Sequence, residues 1–307
     1  MRISAVSLFM PTPYTKPYLD ERQHVALLKS RGLLVADEAA AAEFLSRVNY
    51  YRLSGYAIPF LLDRERFLDG AEFDELLAVY RFDRVLRELL SEALEAAELA
   101  YRTILARKWS KLSGPLGYRD PQNFRNPSQF ESQMRHFDKT VSDSNEPCIV
   151  HIREAYGVTQ VPIWALVEVE TFGPLTRLFE NANAELQGAV ADEFEIRPYP
   201  LKSYLQHLRV LRNFCAHHAR LFGRKFYGYR PFVEWLERDV HVCTSRLFAQ
   251  FLFVYRMLRG MPSVCFDRDE WRSRVVRSFE SAPTVKVFDI RRVLGAPKEL
   301  ADSALWL

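Results

Sequence analysis

Cysteine, glycine and long apolar runs are what this 307-residue sequence is short of. Its four cysteines, Cys148, Cys215, Cys243 and Cys265, stand far apart, with no C-x2-C pair. That spacing suggests neither a zinc knuckle nor a disulfide framework, and a reduced cytoplasm is the simplest home. Only 12 glycines, set among long Leu, Ala, Glu and Arg tracts, favour helices over a turn-rich β architecture. The longest apolar tract, around Phe248 to Tyr255, is far below the ~20 residues of a membrane span. The apolar run in the first eleven residues is too short for a signal peptide. Also missing are G-x-x-x-x-G-K-[ST], G-x-G-x-x-G, H-E-x-x-H and G-x-S-x-G. Their absence sets aside the familiar nucleotide, zinc-peptidase and serine-hydrolase sites.

What is present is ordinary in bulk and uneven in detail. Hydrophobic residues make up 48% and charged residues 26%, the balance of a water-soluble globular chain. The net charge of +3 conceals an asymmetry. Residues 1–200 carry 23 Lys and Arg against 29 Asp and Glu, a net of −6; residues 201–307 carry 19 against 10, a net of +9. A basic second half suits a polyanionic partner; the plainer alternative is a solvated face.

Taken in order, the chain reads as helices. Residues 11–20, with three prolines, form an extended lead-in. Asp20 to Arg31 reads as a helix stopped by Gly32, and Asp37 as the cap of a second that leads into N-Y-Y-R-L-S-G-Y at 49–56. From Phe73 to about Lys111 neither Gly nor Pro occurs, and Phe73, Leu76, Leu77, Tyr80, Leu90, Leu94, Ala97, Tyr101, Ile104 and Leu105 recur at helical spacing. Unbroken, that helix is nearly ~60 Å long, with a bend or short interruption as the alternative. Asp83–Arg87 and Glu98–Arg102 are i,i+4 pairs that support it, and a second role is open to Glu98 or Arg102: facing the 201–224 helix and orienting its residues. Residues 112–147 read as a long surface loop with short helices, and Cys148 to Tyr156 as a helix. Val161 to Asn181 is expected to be helical, interrupted at Gly173-Pro174, with Trp164 and Phe172 in the core. Arg197 to Pro200 is a break. Pro231 to Arg259 and Arg268 to Glu280 read as helices, and the weakly alternating tail from Ala282 to Gly295 as a small strand or extended arm.

The stretch from Leu201 to Arg224 organises the rest. Leu201, Tyr204, Leu205, Leu208, Leu211, Cys215 and Phe222 mark an apolar helical stripe, with Gly223 as the expected C-terminal stop. Beside the stripe cluster Arg212, Asn213, His217 and His218. Arginine supplies a fixed cation, and histidine a group that titrates near neutrality. Together they provide the two functions that cleave a phosphodiester without metal. On a straight helix, however, five steps turn through about 140°. Either the helix distorts near Ala216, or a second copy completes the site. A metal site at the histidine pair is disfavoured, because adjacent helical side chains diverge by about 100° and no Cys or carboxylate stands at ligand spacing. The other alternative is structural, with the histidines at the helix end balancing its dipole.

R-N-F-C-A-H at 212–217 fits the R-x4-6-H pattern of the HEPN superfamily. The surrounding chain resembles the Abi-like family, the AbiD/AbiF type of abortive-infection proteins. The resemblance is carried by N-Y-Y-R-L-S-G-Y at 49–56 with Pro59 and Phe60, and by Y-R-F-D-R-V-L-R at 80–87. It continues through E-x6-R from Glu95 to Arg102, W-A-L-V-E-V-E-T-F-G-P-L at 164–175, and R-N-F-C-A-H-H-A-R-L-F-G-R at 212–224. It covers roughly residues 16 to 230, in order.

The resemblance implies an all-α, HEPN-type helical bundle spanning 71–230; the residues add a helical lead-in at 1–70 and a basic, mostly helical extension at 231–307, which the resemblance does not cover. It implies a metal-independent endoribonuclease of phage defence, using no cofactor, with Arg212, Asn213 and His217 as catalytic residues. His218, Arg220, Arg224, Lys225 and Arg230 would contact RNA. It further implies an RNA substrate and a small structured RNA as antitoxin; a homodimer is expected from the offset of Arg212 and His217, and a cytoplasmic setting from the cysteines. The alternatives are a non-catalytic RNA-binding module and a helical adaptor.

Overall fold

The computed structural model describes residues 15–157, 160–227, 242–301 and 303–306. Among them the fold is all-α: helices carry the structure, and extended pairing is limited to isolated bridges such as Leu34 with Glu72. No described helix is long and apolar enough to cross a membrane. The chain divides after Asp74 into two units.

The first unit holds α1 (Glu21–Ser30), α2 (Glu38–Arg47) and α3 (Tyr50–Ala57). Each starts where a side-chain acceptor meets orphan N–H groups. Asp20 and Gln23 form a reciprocal capping box, Asp37 accepts from Ala40, and Asn49 accepts from Tyr51. Gly32, at φ +92°, takes the left-handed turn that ends the α1 region. Val25, Leu28, Leu33, Ala41, Leu45, Leu53 and Tyr56 form the core of this unit.

The second unit is built around α4 (Phe73–Ser113), 41 residues without interruption, so the suspected break does not occur. It is followed by α5 (Pro127–Asp143), α6 (Pro147–Tyr156), α7 (Ile163–Val169), α8 (Phe172–Asn181), α9 (Ala184–Glu193) and α10 (Pro198–Ala216). Then come α11 (Leu247–Met257), α12 (Arg268–Glu280) and α13 (Ile290–Leu294). The buried Tyr101 of α4 packs edge-on against Phe172 and Phe179 of α8, and its hydroxyl donates to the Leu175 carbonyl at 2.9 Å. Farther along, Trp271 of α12 donates its indole N–H to the Leu89 carbonyl at 2.9 Å and stacks with Phe251 of α11. Aromatic rings thus lock α4 to its neighbours by both area and orientation.

Several expectations need correction. The supposed loop at 112–147 contains α5, whose Met134, Phe137 and Val141 are buried. Asn126 caps it and Pro127 opens it, which is start chemistry rather than turn chemistry. Gly173 and Pro174 do not interrupt a helix: they lie in the first turn of α8, where proline costs no hydrogen bond, and the break falls at Glu170–Thr171. Phe172 is buried as expected, but Trp164 is 52% exposed. Pro198 and Pro200 likewise open α10 instead of breaking the chain before it. Within the Pro231–Arg259 segment, α11 is the described helix, and residues 231–241 lie outside the described residues. The tail forms no strand; Asp289 caps the short helix α13 there.

Candidate functional site

Helix α10 ends at Ala216, seven residues before Gly223. The expected stop is therefore wrong, and the device that replaces it shapes the site. His217 is the C-cap, its N–H bonded to the Asn213 carbonyl at 3.0 Å. His218 follows at φ +53°, a left-handed conformation that glycine normally supplies. Its N–H reaches the Cys215 carbonyl at 3.0 Å, and the Ala219 N–H reaches the Phe214 carbonyl at 2.8 Å. These two bonds make a Schellman turn with histidine in the glycine position.

Helix α4 holds the chain beyond that turn. Asp83, 0% exposed, accepts the backbone N–H groups of Phe222 at 2.7 Å and Leu221 at 3.1 Å. Its other oxygen pairs with Arg87 at 2.8 Å, and Arg87 donates to the Ala219 carbonyl at 3.2 Å. The pair at 83 and 87 is therefore more than a helix-surface support: it clamps the segment after the histidines. A carboxylate buried with an arginine and two backbone donors is satisfied, which is why burying it is tolerable.

Arg212 lies one helical turn before the end of α10 and faces α4. It lines a cleft of about 410 Å³ with Ser91, Glu95, Glu98, Arg102 and Glu168, floored by Leu94 and Cys215. Glu98 reaches Arg212 across the cleft, with Oε2 3.4 Å from Nε. Glu98 serves both roles open to it: Oε1 pairs with Arg102 along α4, and Oε2 faces Arg212 of α10. Burial pushes the Cys215 thiol up to about 12, with a Ser91 hydrogen bond acting weakly the other way. Cys215 is accordingly an apolar wall of the cleft.

Asn213 and His217 are exposed, and neither lines this cleft. Among the described residues neither side chain has a hydrogen-bond partner. The end of α10 at Ala216 does not bring the His217 side chain into the cleft of Arg212. His218 is exposed beside them. Arg220 donates to the Phe222 carbonyl, and Arg224 donates to the Arg220 carbonyl at 2.8 Å while its guanidinium lies 4.3 Å over the Phe214 ring. Both therefore brace the segment after the turn as well as adding charge to it. Lys225 is exposed, 5.9 Å from the Tyr227 ring, and Arg230 lies outside the described residues. Among the described residues no three His, Cys, Asp or Glu side chains gather at metal-binding range.

Sequence reasoning passed over Glu168 and Ser91, which the cleft recruits from α7 and α4. The signal for Ser91 was available, since it stands one helical turn before Glu95 and two before Glu98 on the same face.

The chain matches the family model described as Abi-like protein over residues 43–223, a span that includes the Asp83–Arg87 clamp, the cleft and the end of α10. No curated protein and no solved structure matches it. On that match the chain belongs to the Abi-like family, and abortive infection is the field in which its function falls.

Proposed function

We propose that the chain is a metal-independent endoribonuclease of the HEPN type, acting in abortive infection by damaging RNA. The observation that carries the reading is the end of α10, where an exposed His217, its side chain without a hydrogen-bond partner among the described residues, follows Arg212 on a turn clamped by Asp83. In this reading the RNA 2′-hydroxyl attacks the adjacent phosphorus, the 5′-oxygen leaves, and the products are a 2′,3′-cyclic phosphate and a 5′-hydroxyl. His217 takes the proton from the attacking hydroxyl or returns one to the leaving oxygen. Arg212 offers its fork to the phosphoryl oxygens as charge builds on them. Asn213 positions one of these groups or bonds across a subunit interface. His218, Arg220, Arg224 and Lys225, with Arg230, contact the RNA backbone.

Because His217 does not line the cleft of Arg212, the reading favours a symmetric dimer in which one copy's histidine meets the other's arginine. A small structured RNA is the proposed antitoxin. The test is cleavage in EDTA with matched RNA and all-deoxy substrates. Activity is expected to survive chelation and to fail on the deoxy strand. Activity restored only by added divalent ions would overturn the metal-free mechanism.

The separation of Arg212 from His217 within one chain also favours a second reading, a non-catalytic RNA-binding module. That module would bind RNA in the same salt-sensitive way yet leave no cyclic-phosphate ends.

A further inference from the structure

Glu98 is buried to an extent unusual for a carboxylate, at 8% exposed. Its Oε1 is occupied by Arg102, whose Nε lies at 3.1 Å and whose Nη2 also reaches it. Arg102 is itself immobilised, because Nη1 donates to the Glu170 carbonyl at 2.6 Å and to the Val167 carbonyl at the end of α7. A carboxylate held by a pinned arginine keeps a fixed orientation, and here that orientation sends Oε2 toward Nε of Arg212 at 3.4 Å. The Arg212 side chain is 47% exposed, and among the described residues its terminal nitrogens form no hydrogen bond.

We propose that Glu98 is a positioning residue that holds the Arg212 guanidinium by its Nε edge and leaves the Nη1–Nη2 edge to grip a phosphate of RNA. The inference rests on the reading of Arg212 as a phosphate-binding group. Guanidinium is a rigid planar fork, so anchoring one edge fixes the direction of the other. Such anchoring removes in advance the ordering cost of a long, flexible side chain. Glu95 and Glu168 line the same cleft, so it is not a general anion groove. A single phosphate held at Arg212 suits its charge better than a run of phosphates.

The competing idea is that Glu98 restrains Arg212 and competes with RNA for it. The two differ in sign: loss of the Glu98 charge weakens RNA binding if Glu98 positions Arg212, and strengthens it if Glu98 restrains it. The contact at Nε, with no hydrogen bond to either terminal nitrogen among the described residues, favours positioning.

The experiment uses the full chain and a short single-stranded 2′-O-methyl RNA, which binds but cannot be cut. Affinity is measured by fluorescence anisotropy, and the Arg212 Nε–H signal is followed by NMR. The wild-type signal is expected to shift on RNA addition. Glu98→Gln, which keeps shape and loses charge, is expected to weaken binding about tenfold; because it also unpairs the buried Arg102, its melt is expected to fall, and binding is compared at a temperature where the variant is folded. Unchanged or tighter binding by folded Glu98→Gln would overturn the proposal, as would a wild-type Arg212 signal that RNA does not move. If Glu98→Gln does not fold, Arg212→Lys asks the same question, since lysine keeps the charge and lacks the fork. It is expected to lose about tenfold in affinity, and retained affinity would overturn the proposal. A wild type that binds this RNA through Arg212 yet cuts no cleavable RNA refutes the nuclease and leaves the Glu98 result standing.

Discussion

Asp83 accepts the backbone N–H of Phe222 at 2.7 Å, joining α4 to a segment 139 residues later in the chain. Through Leu221 and Arg87 the same carboxylate sets the path of the chain immediately after His217 and His218. Asp83→Asn keeps the shape, but it turns amide N–H groups toward Arg87 in place of the carboxylate oxygen and leaves both backbone N–H groups a neutral, poorer acceptor. A loss of ~3 kcal/mol is expected for breaking a buried charge pair, or a fall in Tm of about 6–12 °C for a unit of this size. Calorimetry or a circular-dichroism melt checks it. A variant that melts with the wild type would show that the clamp contributes nothing.

His218 sits at φ +53°, where a side chain with a Cβ is strained. Glycine at this position relieves the strain and alanine does not. His218→Gly is therefore expected to be more stable than His218→Ala by about 1 kcal/mol, read as the difference between their denaturant midpoints. Equal midpoints would show that the turn is not fixed by its left-handed residue.

Burial pushes the Cys215 thiol up to about 12, so in the folded chain it stays protonated through neutral and mildly alkaline pH. Cys148, Cys243 and Cys265 are exposed. Iodoacetamide at pH 8 is expected to modify those three in the native protein and to spare Cys215 until denaturant is added, as read by peptide mass spectrometry. Rapid native labelling of Cys215 would contradict the packed wall of the cleft.

Arg212 lines the cleft and His217 does not, so each copy of a dimer would contribute one of the two groups to a shared site. Mixing inactive Arg212→Ala with inactive His217→Ala is expected to restore one competent half-site per mixed dimer. A mixture that stays inactive after demonstrated subunit exchange would sink the shared site. So would full activity in a protein that is monomeric at assay concentration.

The helices were legible where one rule governed them. The Gly- and Pro-free run beginning at Phe73 is α4, and Asp267 opens α12 at the expected Arg268. Misreadings came where Gly or Pro carried two meanings. Pro127, Pro174 and Pro198 read as breakers but stand in first turns, where a missing N–H costs nothing. Gly223 read as the stop of α10, while His218 took the left-handed position that glycine most often fills. At the site, helix geometry predicted a divergence of Arg212 and His217, but not that α10 would end at Ala216 and leave His217 as its C-cap. The hold of Asp83 on Leu221 and Phe222 was not legible, because no local pattern links residues so distant in sequence. Trp164 looked like core by composition, but its solvent-facing place on α7 is a matter of rotation that a seven-residue helix leaves undetermined.

The central claim is that Arg212 and His217 cut RNA by 2′-hydroxyl attack, and RNA-end sequencing tests it most directly. Cells expressing the wild type are compared with cells expressing Arg212→Ala/His217→Ala, both proteins first shown to be folded. The wild type is expected to accumulate paired 2′,3′-cyclic-phosphate and 5′-hydroxyl ends at defined RNA positions, and the double variant to return to background. Equal end profiles in the two strains, with toxicity retained by the double variant, would contradict the account.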